Sequence, residues 1–347
     1  MARLSLVFHS GFVVSTDSDE WELLDSGGEA DIYRARLRGG QSYIVKLYTP
    51  KYTGLARPVE RIAEMLRRLT RLRRRCGGSI PESLWARGLP VAVGALEDRA
   101  VLVFREVEDF TTVSELVNNP ELLGEYLERH SLEERRRFAR EVLRGLACLD
   151  AADIVHVDAT TPNAAYGRVG ETRGVFLYDY ETAGIIGSED YPLTVLPARD
   201  ANLLPVEVLA EAGVEIQPPD PGELPIPLQP SRLPRPILSW IAWTPTWYGL
   251  QLVALVYSGL SPFHGLPVLS SSYWLEIVEA EAAQGYPGGW PPLSMVDQGY
   301  LDQTEYLELS KLWRSLGEDV VEAMYHVFIV DPGERRGMPS YPLSSIF

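Results

Sequence analysis

Ile154–Asn163 reads I-V-H-V-D-A-T-T-P-N, and Phe176–Glu181 reads F-L-Y-D-Y-E. Between them they set out Asp158, Asn163 and Asp179. These supply one carboxylate to handle a hydroxyl proton, and a carboxamide and a second carboxylate to hold Mg²⁺ through hard oxygen ligands. Phosphoryl transfer asks for such a set, because it needs positioning and charge neutralisation and little covalent chemistry from the protein. A single acidic loop residue is more simply a turn former or a helix cap. The ordered set, with Lys46 upstream, is far more specific than any of its members.

The rest of the sequence narrows the class. A chain of 347 residues with 46% hydrophobic content is long and apolar enough for a sizeable core. No apolar run is long enough to cross a bilayer, Leu250–Tyr257 being far too short, and the first residues lack the apolar core of a signal peptide. Two cysteines, Cys76 and Cys148, argue against a disulfide framework and a four-cysteine zinc site, so a cytoplasmic location is expected. The net charge of −16 argues against general nucleic-acid binding, and no membrane partner is expected. Arginines crowd positions 67–75, whereas lysine is limited to Lys46, Lys51 and Lys311.

Working outward, Leu4–Phe8, Phe12–Ser15 and Trp21–Leu24 read as short strands. Gly27 and Gly28 then form a turn between extended runs, whose backbone N–H groups can face an anion. Tyr43–Tyr48 is a buried-strand pattern interrupted by Lys46, which read alone could be a lysine snorkelling from an edge strand. Arg57–Arg75 reads as a helix with Pro58 in its first turn and a stripe of Val59, Ile62, Leu66 and Leu69. Its closing arginines read as a solvated turn complementing the helix dipole, with a docking surface for an acidic partner or RNA as the sharper alternative. Pro90–Leu96 and Ala100–Val107 form a hairpin around Glu97-Asp98. Ser131–Ala152 is a strong helix, capped by Ser131, with an inner stripe of Phe138, Val142, Leu143, Leu146 and Leu149. Closely spaced prolines break up Ala183–Ser239, where Pro205–Ala212 alone looks helical.

Taken together these motifs resemble the protein-kinase superfamily. The catalytic-loop pattern H-x-D-x-x-x-x-N is matched at His156, Asp158 and Asn163, and the metal-binding Asp of D-F-G at Asp179. Ser258, Gly259, Pro262 and Phe263 match T-G-x-x-P-F, and Val330–Ser340 resembles D-P-x-x-R-P-S, with Arg335 at its arginine. The resemblance implies an α+β, two-lobed fold. A small, mainly antiparallel β N-lobe with a C-helix and a short N-terminal β extension would occupy residues 1–107. A larger, mainly helical C-lobe would occupy 108–347, with an atypical proline-rich activation segment at 183–239.

The same resemblance implies roles. Asp158 would be the catalytic acid/base, and Asn163 and Asp179 the Mg²⁺ ligands. Lys46 would reach the ATP phosphates, beneath the Gly27-Gly28 turn. Backbone groups of Arg105–Val107 would read adenine, with Phe104 behind. Glu60 or Glu64 would pair with Lys46 from the C-helix, although in an ideal helix both point away from the apolar stripe. His156 would be architectural.

Departures from the family pattern are specific. Val157 replaces the arginine of H-R-D, Thr160 stands where a lysine is usual, and Pro245 where the helix-start Asp is usual. Glu181, two residues after Asp179, resembles small-molecule kinases of the aminoglycoside and choline type. The implied function is ATP- and Mg²⁺-dependent transfer of the γ-phosphate to a hydroxyl, as in an atypical Ser/Thr protein kinase similar to kinase-like proteins of bacteria and archaea. The alternatives are a small-molecule kinase, or a nucleotide-binding pseudokinase serving as an interaction module.

Overall fold

Alternation along the strand β5 (Ser42–Tyr48) decides which way its lysine points. Val45 and Leu47 face one side of the sheet, where they pack with Ala35, Ala92, Val101 and Val103. Lys46 and Tyr48 face the other side. There Tyr48 joins the main core with Leu102 and with Ile62, Met65 and Leu69. The last three lie on the helix α2 (Pro58–Arg71), so the lysine emerges on the face that this helix covers.

The computed structural model describes residues 3–8, 13–17, 21–36, 42–72, 84–156, 159–185, 193–195, 226–228, 249, 251–267, 271–286, 288–318, 321–322 and 324–325. Several sequence expectations fall outside these residues: Val157 and Asp158, Arg73–Arg75, Pro205–Ala212, Pro245 and Val330–Ser340.

Seven antiparallel strands make the N-terminal sheet, in the order β2-β1-β6-β7-β5-β4-β3. They are β1 (Arg3–Phe8), β2 (Val13–Asp17), β3 (Glu22–Ser26), β4 (Ala30–Arg36), β5, β6 (Ala92–Leu96) and β7 (Arg99–Arg105). The hairpin β1–β2 pairs with β6 and so covers that strand's otherwise open edge. A short helix, α1 (Pro50–Ala56), precedes α2 and is capped by the Thr49 side chain. Pro58 opens α2, whose buried side chains are Pro58, Arg61, Ile62, Met65 and Leu69. Ile62 and Leu69 belong to the expected stripe; Val59 and Leu66 are only partly buried against the core.

β8 (Glu108–Thr112) leaves the sheet and pairs with β10 (Ala164–Val169), which pairs in turn with β11 (Thr172–Leu177). Helices α3 (Val113–Asn118), α4 (Pro120–Arg129) and α5 (Leu132–Ala151) follow β8. α5 begins at a capping box in which Ser131 and Glu134 satisfy each other's backbone N–H. Its buried stripe contains all five expected residues, Phe138, Val142, Leu143, Leu146 and Leu149. The helix runs into β9 (Ile154–Val155), paired with β12 (Gly184–Ile185). Two strands, β13 (Leu193–Val195) and β14 (Ile226–Leu228), pair within the proline-rich segment. Later come α6 (residues 251–258), α7 (Ser271–Gln284), α8 (Ser294–Asp297) and α9 (Gln303–Leu316).

An antiparallel sheet with α1 and α2 packed against it, followed by a larger part rich in helix, is the α+β arrangement expected from the sequence. No helix among the described residues is long and apolar enough to cross a membrane. Cys148, buried on α5, is disulfide-bonded.

Candidate active site

The β10–β11 hairpin brings the two deciding stretches of sequence together. Asn163 ends a turn of 3-10 helix (Thr161–Asn163) just ahead of β10, and its carbonyl accepts the Tyr178 N–H at 2.9 Å. The ladder continues with Ala164 opposite Leu177. Asn163 and Asp179 therefore flank the open end of one hairpin. His156 lies beneath, fully buried, with Nε2 2.9 Å from the Tyr178 carbonyl and its ring 4.8 Å from that of Tyr180. That is the architectural position expected of it. Behind the hairpin, the 3-10 turn Leu84–Gly88 presses Gly88 onto the backbone. A Cβ there would stand 1.8 Å from the Leu177 carbonyl oxygen.

Asp179 is left-handed, at φ 64° and ψ 47°. Aspartate tolerates that region better than most residues, and such a backbone outlier often accompanies function. The turn aims its carboxylate at Lys46, whose Nζ donates to Asp179 Oδ1 at 2.6 Å and to Glu181 Oε1 at 2.7 Å. The two acids differ sharply in exposure. The Asp179 side chain is 36% exposed and that of Glu181 is 2% exposed. Asp179 can thus meet a ligand from solvent, whereas Glu181 stands behind the lysine. Tyr48 OH donates to the same Glu181 oxygen, and the Tyr48 ring stacks on Tyr52 with centroids 5.0 Å apart.

Burial works against the Lys46 ammonium, but Glu181 and Asp179 outweigh it and hold the lysine charged well above its ordinary range. For Asp179, burial opposes ionisation; the charge and hydrogen bond of Lys46 prevail and set its carboxyl below the usual carboxylate range. Burial pushes Glu181 up despite Lys46, and the neighbouring Asp179 adds to the rise. Glu29, in the turn between β3 and β4, is also raised, by desolvation first, within the fields of Lys46 and Asp179.

The other predicted positions divide. Gly27 donates its N–H to the Ala30 carbonyl at 2.9 Å, closing the turn. Neither Gly27 nor Gly28 has a positive φ, and a Cβ on Gly28 would meet nothing within 4 Å, so the chain's own packing does not require glycine there. Arg105 ends β7 opposite Tyr43, and Val107 lies in the crossover to β8. Val107 packs so tightly on β10 that a Cβ at Gly167 would sit 2.3 Å from its Cγ1.

Glu60 and Glu64 are not brought to the lysine, which corrects that expectation. Glu60 is exposed beside Arg57. Glu64 is bonded by Arg67 and Arg68, and Arg67's hydrogen bond leads the causes that hold it down at about 2. The inward face of α2 instead carries Arg61, 2% exposed, whose Nη1 donates to the Ala183 carbonyl at 2.8 Å. Glu181, noted in the sequence only as a family departure, is the carboxylate beside Lys46. The outward placement of Glu60 and Glu64 was the available signal that another acid was needed. The arginines that end α2 also find acidic neighbours, since Arg68 further approaches Asp153 at 3.7 Å.

Among the described residues, no group of three or more His, Cys, Asp and Glu could enclose a metal. The donor types at the hairpin's open end, the partly exposed Asp179 carboxylate and the carboxamide of Asn163, suit a hard cation that keeps most of its coordination for phosphate and water. Mg²⁺ has that habit, so these residues fit it.

No protein-family model matches the chain, and no curated protein matches it. Among solved structures it is similar to a kinase domain at 11% identity and a TM-score of 0.48, with 98% of this chain and 96% of the other covered. It is also similar to a Toxoplasma gondii rhoptry antigen kinase domain at 12% identity and a TM-score of 0.47, with 99% and 84% covered.

Proposed function

We propose that the chain is an ATP- and Mg²⁺-dependent phosphotransferase that moves the γ-phosphate to a hydroxyl, that of Ser or Thr in a protein. The observation that carries this is the bond from Lys46 on β5 to Asp179 after β11, across 133 residues of sequence. It joins a charged lysine to a partly exposed carboxylate at the end of the hairpin that Asn163 also flanks. Phosphoryl transfer needs a cation for the phosphates and hard oxygen ligands for a metal, in one place.

In this reading the nucleotide lies between an N-lobe of residues 1–107 and a C-lobe of 108–347. Lys46 binds phosphate oxygens, and the Gly27-Gly28 turn covers them with backbone N–H groups. Backbone groups from Arg105 to Val107 meet the adenine edge. Asp179 and Asn163 hold Mg²⁺, which when bound neutralises charge on the phosphates. Asp158 orients the acceptor hydroxyl and takes its proton. Thr160 brings no charge to the transferred group, so Lys46 carries more of that stabilisation.

The test is incubation of the full chain with γ-labelled ATP and Mg²⁺, alongside Asp158→Asn, read by intact mass. Label on protein in the wild type alone supports a Ser/Thr protein kinase. ATP turnover with label only on added small alcohols would replace that acceptor with a metabolite. Absence of both turnover and Mg·ATP binding would sink the phosphotransfer reading.

A further inference from the structure

We propose that Glu181 is the positioning residue for Lys46, doing from the D-Y-E turn what the kinase resemblance assigns to a carboxylate on α2. This rests on the phosphotransfer reading of the same site. Three observations carry it. Lys46 Nζ bonds Glu181 Oε1 at 2.7 Å, and Glu181 is 2% exposed, so it sits behind the lysine and out of an incoming ligand's path. Tyr48, on the same face of β5 two residues on, donates to that same oxygen. The carboxylate is thereby pinned to the strand that carries the lysine, and Tyr52 stacks on Tyr48 from α1.

The third observation concerns α2. Its two candidate acids are engaged elsewhere, Glu60 beside Arg57 and Glu64 with Arg67 and Arg68. Its buried face presents Arg61 to the Ala183 carbonyl, two residues past Glu181. The helix therefore holds the turn by its backbone, and the turn holds the lysine. Asp179 and the partner of Lys46 share one short segment, so lysine and metal-side carboxylate stay aligned however α2 moves. When phosphate or metal draws Lys46 and Asp179 apart, Glu181 keeps the ammonium in place.

The test compares full-length wild type with Glu181→Gln, Glu60→Gln and Glu64→Gln. Calorimetry reads affinity for Mg·ATP and, separately, for adenosine, which has no phosphate for Lys46 to meet. Glu181→Gln should weaken Mg·ATP binding by about tenfold or more while adenosine binding stays within about twofold. Glu60→Gln and Glu64→Gln should leave both unchanged. A thermal-stability cycle of Lys46→Met, Glu181→Gln and the double variant should be non-additive, because Lys46→Met strands the buried Glu181 carboxylate whereas Glu181→Gln leaves Lys46 paired with Asp179.

Equal weakening of Mg·ATP and adenosine would make Glu181 merely structural and overturn the proposal, as would an additive cycle or a loss seen in Glu60→Gln or Glu64→Gln. Wild type that fails to bind Mg·ATP would remove the phosphotransfer reading and the positioning role with it. That failure is distinguishable, because the cycle reports the ion pair without nucleotide.

Discussion

Gly88→Ala places a methyl group where the structure has backbone. The new Cβ would stand 1.8 Å from the Leu177 carbonyl oxygen, 2.7 Å from its carbon and 2.9 Å from Tyr178 Cα. A carbon–oxygen contact needs about 3.3 Å, so something must shift by about 1.5 Å. The neighbour cannot give by rotating a side chain, because every close atom is main chain. Leu177 is paired with Ala164, and Tyr178 N–H with the Asn163 carbonyl, so the strain passes along the hairpin to Asp179. Overpacking of this kind costs about 1–3 kcal/mol, with the upper end expected where backbone must move. For a chain of 347 residues the melting temperature should fall by roughly 3–4 °C. Displacement of about an ångström at Asp179 would also stretch its 2.6 Å bond to Lys46. Misplacement on that scale lowers turnover by roughly a hundredfold. Differential scanning calorimetry checks the first part, and Mg·ATP titration with a turnover assay checks the second. Gly124→Ala, in α4 with nothing within 4 Å of its Cβ, is the control and should hold or gain stability. A Gly88→Ala protein as stable as wild type, with unchanged Mg·ATP affinity, would refute the claim that this glycine sets the position of Asp179.

Asp179→Ala should weaken Mg·ATP binding severely yet strengthen the binding of metal-free ATP, since it removes the carboxylate proposed to hold Mg²⁺ and also frees Lys46 from one acid. Titrations with Mg²⁺ and with chelator would show whether the two effects have opposite signs. Glu29→Gln should tighten nucleotide binding by roughly two- to fivefold at low salt, fading as salt rises, because it removes an acid that lies in the fields of Lys46 and Asp179. His130 is 6% exposed and bonded to Tyr166 OH; burial leads the causes that hold it below the ordinary 6.5. The unfolded chain then takes up the proton first, so stability should fall as pH drops through about 6.5, and His130→Phe should show a flatter melting profile between pH 7.5 and 5.5.

Much of the fold could be read from the sequence because it rests on local pattern. The strand around Lys46, the helix opened by Pro58 and the capped helix Leu132–Ala151 each announce themselves within their own residues. The lysine's partner does not. Glu60 and Glu64 were candidates by their place on α2, but the apolar stripe that buries Ile62 and Leu69 turns them outward. Glu181 reaches Lys46 across 135 residues, and no local periodicity encodes a contact at that separation. Arg61 eluded the reading for a related reason. A helical arginine is ordinarily solvated, and this one is buried because the Ala183 carbonyl, just ahead of β12, stands opposite. Gly88 carries no motif at all; its need for glycine arises wholly from the backbone packed against it.

The charges gathered around Lys46 bear on the order in which ligands can enter. One ammonium faces two carboxylates at bonding distance, and Glu29 lies within their field. Negative groups outnumber positive ones at this spot, in a chain whose net charge is already −16. A bare triphosphate would meet repulsion there, and its attraction to Lys46 would first have to displace Asp179 from a 2.6 Å bond. A divalent cation reverses both terms. In the proposed reading Asp179, which is exposed enough to meet such a cation, would hold it and leave Lys46 free to bond phosphate. Glu181 is too deeply buried to follow Asp179 to the metal, so the ammonium keeps one anchored partner throughout. The difference in exposure between two acids separated by a single tyrosine thus lets the lysine change one partner while keeping the other.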